Sequence, residues 1–295
     1  MDKCLRAVEH IRRMRGGAQA HLLRCSDGGL YVSKSPNNCQ GRRILVNELL
    51  GSRLAALLGL PVADSQVVFV PQDLIRCSAE MVMEYPRGTI PCQAGSWFGS
   101  RYPVDPRRGK VCEMVPLNRV TNRFDFLGML VFDKWTCNID GRQVVFFRKD
   151  EKQPFRAVMI DQGFCFNAAE WNFPDAPLRG HYFRADTYDC VTGIDAFEPW
   201  LSRLESEIDG NALLAAAKEI PSDWYEGEKD SFFKLLETLD RRRTLVRGLV
   251  HAARKGSFRL FPNWVNDHLR ISALGGLQIR STVPVLAEPE GRPSL

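Results

Sequence analysis

The chain has 295 residues, of which 44% are hydrophobic and 25% are charged, and its formal net charge is +5. This composition is ordinary for a globular protein, and the length allows one large domain or two small ones. Proteins that read nucleic acids usually concentrate more basic charge on one face, so direct nucleic-acid binding is not expected. A phosphate-rich ligand is compatible with the same charge.

The nine cysteines and five histidines show no metal-binding pattern. No two cysteines lie within three residues of each other, which excludes CxxC zinc pairs, and their number is odd. The segment from Met1 to Arg15 is charged throughout and lacks the apolar stretch of a signal peptide. No apolar run approaches the roughly 18 residues of a membrane helix. Reduced thiols, a cytoplasmic location and no membrane span are therefore expected.

The first third of the chain predicts strands around one helix. The turn residues Asp27-Gly28-Gly29 separate two short runs, which is typical of a hairpin. Leucines recur at helical spacing from Ile44 to Leu58, and Gly59 and Pro61 then end the helix. The predicted elements are strands 20–25 and 30–33, helix 44–58, and strands 65–70 and 80–84.

Pro86-Arg87-Gly88 interrupts this pattern, and the Gly-, Pro- and Arg-rich stretch up to Pro116 predicts a long surface connection. Helices interrupted by a small hairpin follow, and the absence of alternating βαβ units argues against a doubly wound fold. The predicted elements are helix 123–137, strands 144–148 and 156–160, an irregular aromatic segment 167–192, helices 197–208, 211–219 and 228–255, and an adaptable tail over the last thirty residues.

Two candidate phosphate-binding features lie in the first part. Gly16-Gly17-Ala18-Gln19 precedes a strand, and its glycines would let backbone N–H groups approach an anion, although such pairs also form plain turns. Lys34 ends the next strand, and Glu48 lies off the leucine stripe of the helix. A strand lysine oriented by a helix glutamate can hold the α- and β-phosphates of ATP. The alternative is a solvated lysine and an exposed helix acid.

Two candidate aspartates follow in the second part. Asp140 lies in a tight loop after the apolar helix, where it could accept a proton from a substrate hydroxyl, although Asp-Gly is also a turn dipeptide. Asp133 belongs to the apolar helix itself, and buried acids are rare unless they are paired. Asp161 follows the apolar strand that ends at Ile160. This position is typical of a metal ligand at the floor of a cleft, but also of a turn that ends a strand.

The order of these features resembles that of protein kinase-like phosphotransferases. In detail the chain is similar to the HipA-like kinases and, more distantly, to phosphatidylinositol kinases. The similarity covers about residues 14 to 255. The motifs that carry it are Gly17-Ala18-Gln19, Lys34-Ser35-Pro36, Asn47-Glu48-Leu49, Phe132-Asp133, Asn138-Ile139-Asp140 and Ile160-Asp161-Gln162-Gly163-Phe164.

This resemblance implies an α+β, two-lobed, protein kinase-like fold. The strand-rich N-lobe with one helix would cover about 1–88, the mostly helical C-lobe about 89–262, and a tail 263–295. It also implies ATP and Mg²⁺ as cofactors. The implied roles are phosphate binding for Gly16, Gly17, Ala18, Gln19 and Lys34, orientation of that lysine for Glu48, contact with the acceptor hydroxyl for Asp140, Mg²⁺ chelation for Asp161, and adenine recognition by the backbone of the predicted hinge, Met83-Glu84-Tyr85.

The chain departs from the family pattern at two positions. Val145 stands where the related kinases carry an asparagine as a second metal ligand, and Gln143 is the nearest replacement, as a catalytic and metal-binding candidate. His21 stands where HipA has a lysine after its glycine loop. Metal coordination is therefore rearranged or activity is weak. A single Mg²⁺ is compatible with this, because the ion keeps several waters and needs few protein ligands.

Three functions stay open at this stage. The first is an ATP-dependent kinase acting on a hydroxyl of a protein or small molecule, including its own. The second is a nucleotide-binding pseudokinase, and the third a structural or interaction protein. HipA-like toxins pair with a small DNA-binding antitoxin, but no element here indicates such a partner. Two residue sets could contact the phosphate acceptor, and each also has a purely structural interpretation. The aromatic residues could line an acceptor groove or pack beneath a loop: Trp171, Phe173 and Tyr182. The basic residues could attract an acidic substrate or form a solvated loop: Arg101, Arg107, Arg108 and Lys110.

Overall fold

The computed structural model describes residues 4–255 and 259–265. Its strands, in chain order, are β1 Ala7–Arg13, β2 His21–Cys25, β3 Leu30–Lys34, β4 Ser65–Val70, β5 Val82–Tyr85, β6 Gly88–Pro91, β7 Gly95–Arg101, β8 Lys110–Cys112, β9 Val144–Arg148 and β10 Arg156–Met159. The α-helices are α1 Arg43–Leu57, α2 Gln72–Arg76, α3 Asp125–Thr136, α4 Glu198–Ser206, α5 Gly210–Ala217, α6 Lys229–Arg242 and α7 Val246–Arg254. Most of the predicted tail, from residue 266 onward, lies outside the described residues.

An antiparallel five-stranded sheet in the order β1-β2-β3-β7-β4 dominates the first hundred residues. Strand β1 was not predicted, because its sequence from Ala7 to Arg13 has no clear alternation of apolar and polar residues, and only Ala7 is buried. One face of the sheet carries a small core around Trp97 and Tyr31, which α2 and strand β5 help to cover. The other face contributes Phe98 to the main core, together with α1 and the later helices. The sheet is therefore buried on both sides.

Strand β7 corrects the predicted surface connection after Pro86. It pairs with β3 on one side and β4 on the other, so the chain returns to the centre of the sheet after residue 88, where the sequence placed the lobe boundary. Glycines and serines dilute its apolar pattern, yet Gly99 is required, since a Cβ there would lie 2.5 Å from Val68 Cγ2. Helix α2 is a second correction, because the prediction placed only one helix in this part.

The second part follows the predicted order more closely. Helix α3 is buried along nearly its whole length, and the β9–β10 hairpin forms with Val144 opposite Met159 and Val145 opposite Val158. Strand β8 adds a third, unpredicted strand to this hairpin. The long helix predicted at 228–255 is two helices, α6 and α7, separated by a 3₁₀ turn at Arg243–Leu245.

The observed architecture is a mixed α and β fold with antiparallel sheets, which agrees with the predicted α+β class at that level. All nine cysteines are free thiols. Among the helices of the described residues, none combines the length and apolar character that crossing a bilayer requires.

Candidate active site

Lys34, Glu48 and Asp161 meet in space, although they come from three distant parts of the chain. Lys34 Nζ, at the end of β3, donates to a Glu48 carboxylate oxygen on α1 and lies 3.0 Å from Asp161 Oδ1. Lys34 and Glu48 are buried, whereas the Asp161 side chain is 35% exposed. The cluster therefore opens to solvent on its Asp161 side.

The charges of this cluster control one another. Burial raises the pKa of Glu48 to about 7, against the attraction of Lys34. Burial also opposes the charge of Lys34, but the two carboxylates outweigh it and raise the pKa of the ammonium. Desolvation alone would raise the pKa of Asp161 too, yet the nearby ammonium lowers it. Asp161 thus stays an anion, and Lys34 stays a cation.

The backbone around Asp161 is shaped to present this carboxylate. Asp161 itself has φ 57°, a left-handed conformation that is uncommon for a non-glycine residue. The next amide, Gln162 N–H, donates to Glu48 Oε2 at 2.9 Å. Gly163 is sterically required, because a Cβ there would lie 2.9 Å from Ile44 Cγ2 and 3.1 Å from Glu48 Oε1. Helix α1 and the turn after β10 therefore pack at close range.

Asn47, next to Glu48 on α1, ties the same helix to the segment after Asp161. Its amide nitrogen lies within 3.0 Å of the carbonyl oxygens of Gly163, Cys165 and Ala168. Its oxygen accepts from Trp171 Nε1 at 2.8 Å. The Asn-Glu pair of α1 thus sets the position of both the Asp161 turn and the chain that follows it.

The glycine loop connects β1 to β2 over residues 14–20. Gly16 has φ 120° and Gln19 φ 49°. Gln19 Oε1 accepts from Glu84 N–H at 2.7 Å, and Gln19 Nε2 donates to Glu84 O at 2.8 Å. Asn38 Nδ2 donates to Ala18 O at 2.6 Å on the opposite side. The loop is therefore held between β5 and the 36–41 segment.

These contacts bear on the predicted hinge at Met83-Glu84-Tyr85. The N–H and C=O of Glu84 are both engaged by Gln19, so they are not available to an adenine edge. The three residues lie in β5, which pairs with β6 in a separate two-stranded sheet. The prediction was made without strand β7, and the chain leaves the five-stranded sheet after Arg101.

Asp140 lies in a loop that is fixed by a buried ion pair. Arg142 donates to both carboxylate oxygens of Asp133 on α3, with Nε 2.9 Å from Oδ2. Its Nη1 also donates to Gln162 Oε1 at 2.7 Å and to Ile160 O at 3.1 Å. Asp140 itself is exposed, and its Oδ1 accepts the N–H of Gly141 at 2.8 Å. Arg142 therefore links the Asp140 loop to the Asp161 turn.

Gln143 lies beside the Asp161 turn, at the open end of the β9–β10 hairpin. Its carbonyl accepts from Ile160 N–H at 3.1 Å, and its side chain is exposed. Val145 is half-buried opposite Val158 and offers no oxygen ligand. Throughout 4–255 and 259–265, no group of three or more His, Cys, Asp or Glu side chains could hold a metal ion by itself. Asp161 and Gln143 fit Mg²⁺ only in the mode in which ligand phosphates and water complete the shell.

Sequence reasoning missed two cations that anchor the segment after Asp161. Lys134, buried on α3, donates to the carbonyls of Pro177 and Arg179 at 2.8 and 2.7 Å, and burial lowers its pKa to about 8. Arg242 on α6 binds both oxygens of Asp175 and stacks 4.4 Å from the Phe173 ring. A lysine in an otherwise apolar helix was the available signal for Lys134. Arg242, in a charged Arg-Arg-Arg run, gave none.

The three aromatic groove candidates mainly pack. Tyr182 is 2% exposed and lies 4.7 Å from the Phe126 ring. Trp171 is half-buried under Arg43, whose guanidinium lies 4.4 Å from its ring. Phe173 is covered by Arg242. Tyr182 is therefore a packing residue, and Trp171 and Phe173 are only partly accessible.

The HipA-like kinase family model matches residues 7–254. A crystal structure of the Helicobacter pylori proinflammatory kinase CtkA is similar, with a TM-score of 0.52 and 14% identity over 85% of this chain and 97% of that one. The Golgi casein kinase gives 0.49 and 12%, over 88% and 78%. HipA of Shewanella oneidensis MR-1, solved with HipB and operator DNA, gives 0.45 and 12%, over 87% and 75%. No curated protein matches in sequence. The chain belongs to the HipA-like kinase family.

Proposed function

We propose that this kinase transfers the γ-phosphate of ATP to a hydroxyl group of a protein, of Ser/Thr type, or of a small molecule. The observation that carries the proposal is the contact of Lys34 with both Glu48 and Asp161. A lysine held by one buried carboxylate and facing a second, partly exposed one is the arrangement that phosphoryl transfer requires at the triphosphate.

The three residues divide the work by burial. Glu48 holds the Lys34 ammonium from the buried side, so Lys34 can turn its charge toward the α- and β-phosphates without losing its position. Asp161, the exposed partner, and the Gln143 side chain would hold the metal. Mg²⁺ held there would neutralise the charge of the phosphates. Asp161, the exposed member of the cluster, would contact the ion in place of Lys34.

Asp140 would receive the acceptor hydroxyl. Its carboxylate is exposed, and the Asp133–Arg142 pair fixes the loop that carries it. The position of the Asp140 carboxylate is therefore set by an ion pair that leaves its charge free. Positioning of this kind contributes more to phosphoryl transfer than covalent chemistry does. Arg142 acts here as a positioning residue, because it touches the loop of Asp140 and the turn of Asp161 but neither carboxylate.

The N–H groups of Gly16, Gly17 and Ala18 would cover the phosphates, with Gln19 as the residue that holds the loop to β5. In the two-lobed arrangement that the family implies, the lobe boundary then falls after β7, near Arg101, and no longer at residue 88. Adenine recognition moves with it, from Met83-Glu84-Tyr85 to the backbone that follows Arg101.

A pseudokinase remains the second candidate because of Val145. This residue is half-buried opposite Val158 in the hairpin, where the family carries an amide ligand. Such a protein would bind nucleotide through Lys34 and Asp161 and would signal without turnover.

The deciding experiment incubates the purified protein with γ-labelled ATP and Mg²⁺, beside Asp161→Ala and the control Asp230→Ala, which alters an exposed aspartate on α6. We expect labelling by wild type and the control, reduced roughly 10²-fold or more in Asp161→Ala. Thermal stabilisation by ATP, about 2.7 kcal/mol at a hundredfold excess over Kd, accompanies either function. Thermal stabilisation without labelling would identify a pseudokinase. If neither thermal stabilisation nor labelling is observed, both the kinase and the pseudokinase proposals are wrong.

A further inference from the structure

Lys134 differs from the other buried cations in how its charge is held. Within residues 4–255 and 259–265, the other Lys and Arg side chains that are buried each pair with a carboxylate: Lys34 with Glu48, Arg142 with Asp133, and Arg242 with Asp175. Lys134 is 5% exposed and belongs to none of the ion pairs of these residues. Its ammonium donates instead to three backbone carbonyls: Ala176 O at 3.3 Å, Pro177 O at 2.8 Å and Arg179 O at 2.7 Å. A buried charge is therefore held by dipoles in place of a counter-ion.

The three carbonyls belong to residues 174–181, which we call the strap. The strap contains no helix or strand, and Gly180 is its only buried residue. Two of its residues, Pro174 and Pro177, have no backbone N–H to donate. Segments with so little buried surface and so few backbone hydrogen bonds open at a low free energy. The contacts of Lys134 are therefore a main attachment of the middle of the strap.

The strap lies against the loop that carries Asp140. The carbonyl of His181 accepts the N–H of Arg142 at 3.1 Å. Gly180 has φ 71°, and a Cβ there would lie 2.6 Å from Asp133 Cβ, so the strap passes directly over the end of α3. The position of the strap therefore sets the space on one side of the Asp140 loop.

The first end of the strap is attached in a different way from its middle. Asp175 binds Arg242 through both carboxylate oxygens, and Arg242 Nη2 also donates to Lys134 O at 2.9 Å. An arginine keeps its proton in proteins, whereas a lysine can lose one when it is buried. The attachment at Asp175 is therefore insensitive to pH, and the attachment at 176–179 is not.

The charge of Lys134 makes closure of the strap unfavourable at neutral pH. Burial lowers the pKa of its ammonium from 10.5 to about 8, against the opposing effect of the nearby acids. The charged and titratable groups around it lie on α3, α6 and the strap: Asp133, Cys137, Asp175, Arg179 and Arg242.

The direction of the pH effect follows from proton binding in the two positions of the strap. When the strap moves away, water reaches the ammonium, and its pKa returns toward 10.5. Between pH 8 and 10.5 the closed strap thus binds fewer protons than the open one, so closure becomes more favourable as the pH rises through this window. Below pH 8 Lys134 is charged in both positions, and closure is at its weakest.

We propose that the strap opens and closes beside the Asp140 loop, and that Lys134 is the positioning residue that keeps it ready to open, because closure buries its charge without a counter-ion. An open strap would give an acceptor more room on this side of Asp140. That consequence rests on the proposed function, whereas the movement of the strap does not.

The test measures hydrogen exchange in the full chain, without ATP, residue by residue by mass spectrometry at pH 7 and pH 9. The reporting amides are those of Arg142, which donates to His181 O, and Arg179, which donates to Ala176 O. After division by the exchange rates of unfolded peptides at the same pH, protection at both amides should rise about tenfold from pH 7 to pH 9. The amide of Asp175, at the end attached to α6, should keep its protection.

Two variants separate a proton effect from a structural one. Lys134→Arg keeps its charge at both values of pH and Lys134→Met has none, so neither should show the rise. Lys234→Met, at an exposed position of α6, is the matched control and should behave as wild type does. If circular dichroism shows that a variant is unfolded, the wild-type profile still decides.

Three results would overturn the proposal: equal protection at pH 7 and pH 9 in wild type, a rise that persists in Lys134→Arg, or an equal rise at the Asp175 amide. Because exchange is measured without nucleotide, its outcome is separate from that of the labelling experiment. A protein that shows the rise but transfers no label loses the kinase proposal and keeps the moving strap, and the reverse result separates the two equally well.

Discussion

Two buried ion clusters lie side by side in this protein, and they are built differently. In the first, Lys34 is shared between Glu48 and Asp161, and the Asp161 side chain is 35% exposed. In the second, Arg142 and Asp133 are almost completely buried and saturate each other, with Asn138 and Gln162 taking the remaining contacts. In the first cluster, Lys34 can exchange Asp161 for another anion. In the second cluster, neither Arg142 nor Asp133 has a partner that it can exchange.

This difference separates a cluster that can exchange an ion from one that cannot. A shared lysine with one accessible carboxylate can accept new charges, such as phosphate and metal, without leaving a buried ion unpaired. A saturated pair has no partner to exchange, so removing one member leaves the other buried without its counter-ion. The mutational tests below measure whether the remaining members of each cluster find another partner after one member is removed.

The largest expected effect is on the saturated cluster. Arg142→Met leaves the Asp133 carboxylate buried without its cation, and the free energy of unfolding should fall by about 3–5 kcal/mol in chemical denaturation. The control, Arg241→Met, removes an exposed arginine and should change little. The double variant Asp133→Leu/Arg142→Met should recover part of the loss. A cost below about 1 kcal/mol for Arg142→Met would contradict this role.

The second effect is on the exchangeable cluster. Lys34→Met should abolish ATP-dependent thermal stabilisation and labelling, yet reduce the free energy of unfolding less than Arg142→Met does, by about 1–3 kcal/mol. The smaller loss is expected because Glu48 can take up a proton and Asp161 can turn to solvent. If Lys34→Met proves the more destabilising of the two, the comparison between the clusters is wrong.

The third effect is a dependence on pH. Glu48 has its pKa raised from 4.5 to about 7 in the folded protein, so the folded state binds more protons than the unfolded state between these values. Its contribution to the free energy of unfolding is therefore largest below pH 4.5 and declines as the pH rises to about 7, by up to about 3 kcal/mol.

Glu48→Gln should remove this slope, and the measurement is the difference between wild type and variant in denaturation curves across the window. Glu237→Gln, at an exposed position of α6, serves as the control and should keep the wild-type slope. Equal slopes in Glu48→Gln and wild type would show that Glu48 titrates as a solvated acid does.

The smallest effect is at the glycine loop, which exchanges no ions. Gln19→Ala removes two hydrogen bonds to the Glu84 backbone, and the free energy of unfolding should fall by about 1–2 kcal/mol. Hydrogen exchange at the Glu84 amide should become faster at the same time. Gln153→Ala, at an exposed turn position, is the matched control. Unchanged exchange at Glu84 would show that the loop is held in another way.

The sequence was sufficient to predict the exchangeable cluster because each member has its own local signal. Lys34 ends a strand, Glu48 lies off the apolar stripe of a helix, and Asp161 follows an apolar strand. Asp133 also gave a signal, since an acid in an apolar helix needs a partner. Its partner Arg142 could not be identified, because one arginine in a loop has no periodicity to distinguish it.

The errors in the fold trace to strands whose composition hides them. Strand β7 contains Gly95 and Gly99, and Gly99 is present because Val68 leaves no room for a Cβ, a tertiary reason that local propensity does not report. The predicted boundary at residue 88 and the predicted hinge at Glu84 were both drawn without this strand. Strand β1 was missed because charged side chains line it, as is common at a sheet edge.

The contacts of the Asn47 amide make the protein sensitive to one single-nucleotide change in its gene. Its nitrogen faces three carbonyl oxygens, so an aspartate there would place a negative oxygen against them and could donate nothing when ionised. Asparagine and aspartate codons differ by a single nucleotide, so one replication error is enough for this exchange. The gene is therefore one base change from a protein in which α1 keeps its bond from Gln162 N–H to Glu48 but loses the three carbonyl contacts of Asn47.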